Sequence, residues 1–257
     1  MEISDPVFTT LRLNPNGPLF LDSHVSRLER AYAVLFDTAL MVDLDDLEKS
    51  LSIISQSREL PCLVRIQVHQ GGEIAMIPRP LEAYESSIHL ITQPLPGGIR
   101  DQIRYKQGDW EAYSNTRRNA ITNGGDAALL VDQDMIIDGD TFTPLFAFTD
   151  GEFVIPDPMM GAVESITLRN LEHYFGKRIR INQRKVALAD LSMCLDALAV
   201  GTGIGIRRIA SIDGISLGPD LEAGLEDILC EIEDVGFIEG LSLSLIHISE
   251  PTRLEPI

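Results

Sequence analysis

The sequence predicts a mixed α/β protein with a small N-terminal α/β domain and a larger C-terminal domain. Short apolar runs suited to strands alternate with longer amphipathic stretches suited to helices. At 257 residues the chain is long enough for one large domain or two smaller ones. The segment QPLPGG at 93–98 is the best linker candidate, so we place a boundary near residue 96, between domains 1–96 and 97–240.

The composition excludes several classes of function. A net charge of −18 and a pI near 4.5 argue against nucleic acids and anionic membranes as partners, because both require basic surfaces. Three scattered cysteines form no metal-binding pattern and suit a reducing compartment, and the histidines are too dispersed for a zinc site. There is no signal peptide and no apolar run of membrane-spanning length. We therefore expect a cytoplasmic protein that binds small molecules and no metal.

The N-terminal part of the chain alternates between strand and helix patterns. Residues 7–13 predict a strand, and Asp22 or Ser23 can cap the helix that follows. The apolar stripe of this helix is formed by Val25, Leu28, Ala31 and Leu35. Arg27 lies off that stripe near the helix start, where its guanidinium could face an anion. A second helix and two strands are predicted over residues 45–55, 63–68 and 88–91.

Residues 104–156 form the central stretch of the sequence. Lys106 lies near its start, in a segment that alternates like a strand, and a polar helix is predicted over 111–123. Further strands are predicted over residues 127–131, 135–137, 145–148 and 153–155. An acidic turn at 138–140 separates two of them. A lysine among strands, with carboxylates on a later turn, is typical of a Schiff-base site, although most lysines are solvated surface charges.

Two turns in the remaining sequence suit phosphate binding. Ser165 opens a predicted helix that runs to about residue 175, and N–H groups at a helix start bind phosphate well. Residues 197–206 combine a strand with a glycine-rich turn. The other predicted elements are two strands and two helices, over 179–182, 209–212, 188–194 and 221–233.

The order of these motifs resembles the class IV aminotransferases, the fold-type IV pyridoxal-phosphate enzymes that include aminodeoxychorismate lyase. The segments FTT at 8–10 and HVSRL at 24–28 are similar to the family's first strand and H-x-x-R-L helix. KQGDW at 106–110 resembles the family's K-T-x-N-Y segment, and GDAALL at 125–130 resembles its G-A-D-E-A-L-L. The dipeptide at 213–214 fits the family's I-D-G turn. Each motif is degenerate alone, but their shared order is a specific signal.

The resemblance covers roughly residues 7–235 and implies a homodimeric enzyme that binds pyridoxal 5'-phosphate between its small domain and a pseudo-barrel domain. Lys106 would form the Schiff base with the cofactor and move the substrate proton. Asp138 or Asp140 would face the pyridine nitrogen and keep it protonated. Arg27 would hold the cofactor phosphate together with two turns, which contain Ile166, Thr167, Gly201 and Thr202.

The sequence departs from the family pattern at several of these positions. An aspartate replaces the glutamate of the family's E-G-x-x-S-N turn. Counting forward along the chain favours Asp138 and counting backward favours Asp140; we prefer Asp138 because a glycine follows it. Trp110 stands where the family has a tyrosine, and it cannot accept a bond from the ring hydroxyl. Glu164 adds a negative charge next to the predicted phosphate site.

The resemblance leaves more than one function open. Our first prediction is an aminotransferase that moves an amino group between an amino acid, of branched-chain or D-amino acid type, and a 2-oxo acid. The alternative is an aminodeoxychorismate lyase that releases pyruvate and 4-aminobenzoate, which the FTT segment favours. A third hypothesis is a degenerate homologue that binds the cofactor without turnover.

The C-terminal end carries a sequence of a different kind. Residues 243–253, LSLIHISEPTR, match the translation of a transposase sequencing adapter. A run of consecutive matches this long is not expected by chance. We therefore interpret residues 241–257 as a non-native tail and exclude them from fold reasoning.

Overall fold

A computed structural model of the chain describes residues 5–85, 87–99, 103–148, 152–175 and 180–217. These residues contain four α-helices and two sheets, which together have fourteen strands. The mixed α/β class predicted from the sequence is confirmed. The predicted helix over 221–233 and the tail from 241 lie outside the described residues.

The smaller sheet has four antiparallel strands in the order β2-β1-β3-β4. Its strands are β1 Val7–Asn14, β2 Gly17–Pro18, β3 Cys62–Val68 and β4 Ile74–Pro80. Successive side chains of a strand point to opposite faces, and alternate residues of β3 are fully buried and partly exposed. One face of this sheet therefore packs into a hydrophobic core, and the other faces away from that core.

Two helices, α1 Leu21–Phe36 and α2 Leu44–Ser57, pack on the apolar face of the smaller sheet. In α1 the predicted stripe is buried except at Leu35, which is 37% exposed. Tyr32 enters the core instead, because it lies one turn after Leu28 on the same helix face. The Asp43 carboxylate caps α2 by accepting a hydrogen bond from the Asp46 N–H at 3.2 Å.

Strand β4 is a feature that the sequence pattern does not predict. It contains Pro78 and Pro80, and proline is normally a sign against a strand because it has no N–H to donate. In the described part of the chain β4 pairs only with β3, so it is an edge strand. An edge position tolerates proline, because one side of the strand needs no partner.

The larger sheet has ten strands and curls back on itself. Its main path runs β10-β9-β8-β12-β13-β5-β6-β7-β11, and β14 pairs with β13. The strands are β5 Ser87–Pro94, β6 Ala127–Asp132, β7 Met135–Gly139, β8 Thr143–Phe148, β9 Phe153–Pro156, β10 Ile181–Arg184, β11 Val186–Ala187, β12 Cys194–Gly201, β13 Gly205–Ile212 and β14 Ile215–Ser216. Only Lys185 separates β10 from β11, the two ends of the path. The ends therefore lie next to each other, as in a pseudo-barrel.

The connection from β5 to β6 positions the central lysine. These two strands are parallel, so the chain must cross over between them, and α3 Glu111–Thr122 lies in that crossover. Lys106 lies in the segment that leads into α3. The strand predicted around Lys106 is wrong, because this segment makes only an isolated bridge, between Val7 and Gln107. Since β5 belongs to the larger sheet, the boundary near residue 96 stays a prediction.

Three elements after residue 165 agree with the sequence pattern. Helix α4 Ile166–Phe175 begins directly after Ser165, as predicted. The glycine-rich turn joins β12 to β13, which pair with Gly201 opposite Gly205. The short helix predicted over 188–194 is a 3-10 helix at Leu188–Met193.

Gly201 lies where the end of β12 approaches another backbone segment closely. A Cβ atom at Gly201 would lie 2.6 Å from the carbonyl oxygen of Thr141, so Gly201→Ala should force a backbone shift. We expect a loss of roughly 1–3 kcal/mol in the free energy of unfolding, measured by urea denaturation. Gly71→Ala is the control, because a Cβ there meets nothing within 4 Å. Equal unfolding midpoints for the two variants would contradict this interpretation.

Candidate active site

A cavity of about 560 Å³ lies where the smaller sheet, α1, α3 and the larger sheet meet. It is lined by seven of the eight residues predicted for the site: Arg27, Lys106, Asp138, Asp140, Ile166, Gly201 and Thr202. Thr167 is the eighth, and it is buried with its hydroxyl oxygen 3.5 Å from that of Thr202. Residues as far as 175 positions apart in the sequence, Arg27 and Thr202, thus come together in one place.

Lys106 is held through its backbone and surrounded by aromatic rings. Its carbonyl accepts a hydrogen bond from the Phe8 N–H at 3.0 Å. Its Nζ atom lies 5.8 Å from the ring centroid of Phe8 and 5.9 Å from that of Trp110. Burial, and after it the positive charge of Arg27, lowers the pKa of Lys106 to about 7, while Asp138 opposes the shift. Roughly half of the amine is therefore neutral, and nucleophilic, near pH 7.

The two candidate carboxylates have different environments. Asp138 accepts backbone hydrogen bonds from Val163 at 2.9 Å and from Gly139 at 3.0 Å. Burial raises the pKa of Asp138 to about 7, against the opposing effects of these bonds and of the charge of Lys106. Asp140 accepts instead from the N–H of Ala128 at 3.0 Å, and burial raises its pKa as well. Lys106 acts on the pKa of Asp138, whereas Arg117 is the cation that acts on Asp140.

Arg27 is oriented by neighbours that the sequence did not predict. Its Nη2 donates to the Thr9 hydroxyl at 2.6 Å, and its Nη1 donates to the Glu164 carbonyl at 2.9 Å. The Thr9 hydroxyl also lies 2.8 Å from His24 Nδ1. Burial lowers the pKa of His24, followed by the charge of Arg27, so this imidazole is neutral at pH 7. His24 and Arg27 are three residues apart on α1, and this spacing was the available signal for their proximity.

The negative charge of Glu164 is compensated. One carboxylate oxygen pairs with Arg30 and the other with Arg169, each at 2.7 Å. The side chain is thus neutralised by two arginines, and the Glu164 carbonyl remains to receive Arg27. The departure from the family pattern at this position therefore adds no uncompensated negative charge to the site.

The start of α4 and the turn after β12 supply further hydrogen-bond donors to the cavity that Arg27 lines. The N–H groups of Ile166 and Thr167 open α4 and have no partner within the helix. The Thr202 hydroxyl lies beside that of Thr167. N–H groups at a helix start together with hydroxyl groups and a guanidinium suit a phosphate.

Aromatic and basic side chains outside the predicted site also line the cavity. Trp110 stacks on Tyr113 with ring centroids 4.1 Å apart, and Phe8 meets Trp110 edge-on at 5.6 Å. Arg65 lies over the Phe8 ring, 3.6 Å from its centroid, and donates to the carbonyl of Gly108. Four arginines outside the predicted site line the cavity: Arg65, Arg79, Arg117 and Arg118. Their convergence depends on strand pairing and on a helix face, which no local motif encodes.

The described residues contain neither a metal-binding cluster nor a membrane-spanning helix. No group of three or more His, Cys, Asp and Glu side chains in this part of the chain could hold a metal ion. None of its helices is both long enough and apolar enough to span a membrane.

The chain belongs to the class IV aminotransferase family. The model of that family, described as amino-transferase class IV, matches residues 6–212. This match confirms the resemblance inferred from the ordered motifs. Enzymes of this family depend on pyridoxal phosphate and act on amino acids and 2-oxo acids. No curated protein matches the chain.

Solved structures confirm the fold. A candidate 4-amino-4-deoxychorismate lyase from Legionella pneumophila has a TM-score of 0.77 at 16% identity, covering 90% of this chain and 91% of its own. A hypothetical aminotransferase from Mycobacterium tuberculosis in its PLP-bound form has a TM-score of 0.76 at 18% identity, covering 91% and 89%. The Escherichia coli branched-chain amino acid aminotransferase has a TM-score of 0.72 at 17% identity, covering 92% and 86%. At these identities the likeness establishes a fold-type IV architecture.

The low pKa of Lys106 predicts unusual reactivity. Timed labelling with acetic anhydride should modify Lys106 with a midpoint near pH 7, because only the neutral amine reacts. Lys49 is the internal reference, since it is exposed and Asp46 raises its pKa. Arg27→Ala should move the Lys106 midpoint upward by removing a repelling charge, and Asp138→Asn should move it downward. Peptide mass spectrometry measures each midpoint, and equal midpoints for Lys106 and Lys49 would contradict the prediction.

Proposed function

We propose that this protein is a pyridoxal-phosphate-dependent aminotransferase that moves an amino group between an amino acid and a 2-oxo acid. The observation that carries the proposal is Lys106, whose amine has a pKa of about 7 and shares a cavity with the buried carboxylate of Asp138. A neutral lysine amine is the nucleophile that this cofactor chemistry needs at neutral pH. A cytoplasmic homodimer remains part of the proposal.

The donor set fits the cofactor at both of its charged ends. Arg27, the N–H groups of Ile166 and Thr167, and the Thr202 hydroxyl would hold the phosphate. Asp138 would contact the pyridine nitrogen. Its two backbone hydrogen bonds and its coupling to Lys106 favour it over Asp140 for this role. When bound, the cofactor supplies an electron sink for the electrons of the substrate bond that breaks.

The residues of the chain supply binding and proton transfer. Lys106 Nζ accepts the proton from the substrate Cα and returns it, which requires the neutral amine that burial and Arg27 maintain. Phe8 and Trp110 limit the access of water to the amine, since their rings flank it. Trp110 cannot replace the tyrosine hydroxyl of the family pattern, so it contributes only apolar surface and the stack with Tyr113.

The aminodeoxychorismate lyase reaction is the second candidate function. It would use the same lysine, and the FTT segment that favoured it is partly explained by structure, since Thr9 bonds Arg27 whereas Phe8 and Thr10 line the cavity. The cationic side chains of the cavity favour a substrate with more than one negative charge, as in this lyase reaction. A homologue that binds the cofactor without turnover is the third hypothesis.

A visible spectrum with borohydride reduction tests the proposal. Added pyridoxal 5'-phosphate should give a band that borohydride removes, with the pyridoxyl label mapped to Lys106 by mass spectrometry. Lys106→Arg should abolish the band, while the exposed-lysine control Lys49→Arg should retain it. Absence of a band, with label spread over exposed lysines, would overturn the proposal.

Addition of substrates then separates the three functions. An aminotransferase should pass to the amine form of the cofactor with an amino acid alone, and a 2-oxo acid should reverse the change. Pyruvate released from aminodeoxychorismate without a second substrate would identify the lyase. A band on Lys106 with neither reaction would indicate the homologue without turnover.

The phosphate contacts generate a separate prediction. Arg27→Ala should weaken the binding of pyridoxal 5'-phosphate by about 10- to 100-fold, because a charged hydrogen-bond donor is lost. Thr9→Val keeps the shape of the side chain but removes the hydroxyl that orients Arg27, so a smaller loss is expected. Pyridoxal, which lacks the phosphate, is the control ligand; above the midpoint pH of Lys106 in each protein it should bind both variants as it binds the unmodified protein. An equal loss for both ligands would mean that Arg27 does not contact the phosphate.

A further inference from the structure

Basic side chains are concentrated in one cavity of an otherwise acidic chain. The protein carries a net charge of −18. The cavity is nevertheless lined by six basic side chains, Arg27, Arg65, Arg79, Lys106, Arg117 and Arg118, beside five acidic ones, Glu82, Asp109, Asp138, Asp140 and Glu164. Glu164 pairs with two arginines outside this lining, and Asp138 and Asp140 accept backbone hydrogen bonds. A concave site with this proportion of basic groups is more favourable to anions than the rest of the acidic chain.

The cations outside the proposed phosphate site lie on two separate walls. Arg65 and Arg79 project from β3 and β4, where Arg79 pairs with Leu63 and so lies diagonally across from Arg65. The pKa of Arg65 is lowered by burial and then by the charge of Arg79, so these two cations repel each other. An anion that contacts both would relieve this repulsion.

The second wall is one face of α3. The residues of this face recur at helical spacing and line the cavity: Trp110, Tyr113, Ser114, Arg117 and Ile121. The face is aromatic at the end near Lys106 and becomes cationic further along the helix. Seven residues separate Trp110 from Arg117, which corresponds to about 10 Å along the helix axis. Arg117 is therefore placed to contact a part of the substrate remote from the reacting amine.

Arg117 is partly buried, yet its partner is an exposed carboxylate. Its side chain is 18% exposed and pairs with Glu82, whose side chain is 61% exposed. Arg117 also donates to the Tyr84 hydroxyl, which in turn donates to Glu82 at 3.2 Å, and Arg117 acts on the charge of the buried Asp140. An ion pair with a solvated carboxylate is weak, because water competes for the carboxylate. Another carboxylate entering the cavity can therefore replace Glu82 at small cost.

We propose that Arg117 binds a second carboxylate of the substrate and that Glu82 occupies this position until the substrate arrives. The preferred substrate is then an amino acid or amino compound with two carboxylates, of which the cation pair on β3 and β4 receives the other. This inference rests on the proposed function for the chemistry at Lys106, but the binding that it describes needs no turnover.

Calorimetric titration with dicarboxylates tests the inference directly. The probes are glutarate and adipate, each compared with its own monoamide, which has the same shape and one charge fewer. Each dicarboxylate should bind the cofactor-loaded protein at least tenfold more tightly than its monoamide. Arg117→Ala should abolish this difference, and Arg117→Lys should retain part of it, because a point charge replaces the planar guanidinium.

Two further variants separate a specific role from a general effect of charge. Arg118→Ala removes the same charge from the same helix, but the Arg118 side chain is 64% exposed and pairs with Glu111. The Arg118→Ala variant should therefore retain most of the preference for dicarboxylates. Glu82→Gln should tighten dicarboxylate binding severalfold, since it removes the competing carboxylate. Tighter binding in Glu82→Gln cannot result from unfolding, whereas weaker binding in Arg117→Ala could. The melting temperature of each variant is therefore measured as well.

The outcomes distinguish this inference from the proposed function. Equal binding of dicarboxylates and monoamides by the unmodified protein would overturn the inference, as would equal losses in Arg117→Ala and Arg118→Ala. Repeating the titration without pyridoxal 5'-phosphate shows whether the preference depends on the cofactor. If Lys106 fails to bind the cofactor but the dicarboxylate preference is found, the proposed function fails and the inference about Arg117 stands.

Discussion

The site depends on a short backbone contact between the two sheets. The Phe8 N–H of β1 donates to the carbonyl of Lys106, and the Gly108 N–H donates to the carbonyl of Pro6 at 2.9 Å. β1 belongs to the smaller sheet, whereas Lys106 lies on a crossover of the larger one. Gly108 has a φ of 72°, which allows the chain to turn from this contact into α3. The same bonds that join the sheets therefore fix the backbone of the lysine.

The charges around this lysine tune the protonation of the pair it forms with Asp138. Burial alone pushes both groups towards their neutral forms. The positive charge of Arg27 adds to this effect on Lys106. Backbone N–H groups of Val163 and Gly139 act against it on Asp138, because they stabilise the carboxylate. The pKa of each group is about 7, so the neutral amine and the charged carboxylate that the two proposed roles require are both well populated at neutral pH.

The sequence predicts those parts of the structure that depend on local pattern. The order of motifs predicted the fold, and seven of eight proposed site residues line one cavity. The strand predicted around Lys106 failed because alternation alone does not provide a pairing partner. β4 was missed because its prolines are tolerated only at a sheet edge, which the sequence does not reveal. Arg79 was missed with it, since its approach to Arg65 follows from strand register.

Two glutamates at the cavity show how the same pairing chemistry serves different purposes. Glu164 is 29% exposed and bonds two arginines, so its replacement would break two ion pairs at once. Glu82 is 61% exposed and meets Arg117, which keeps a second partner in the hydroxyl of Tyr84. Removing Glu82 from its arginine therefore breaks a single ion pair with a solvated carboxylate. We therefore expect the two ion pairs of Glu164 to persist and the Glu82–Arg117 pair to exchange. Arg117 lies towards the end of α3 that is remote from Lys106.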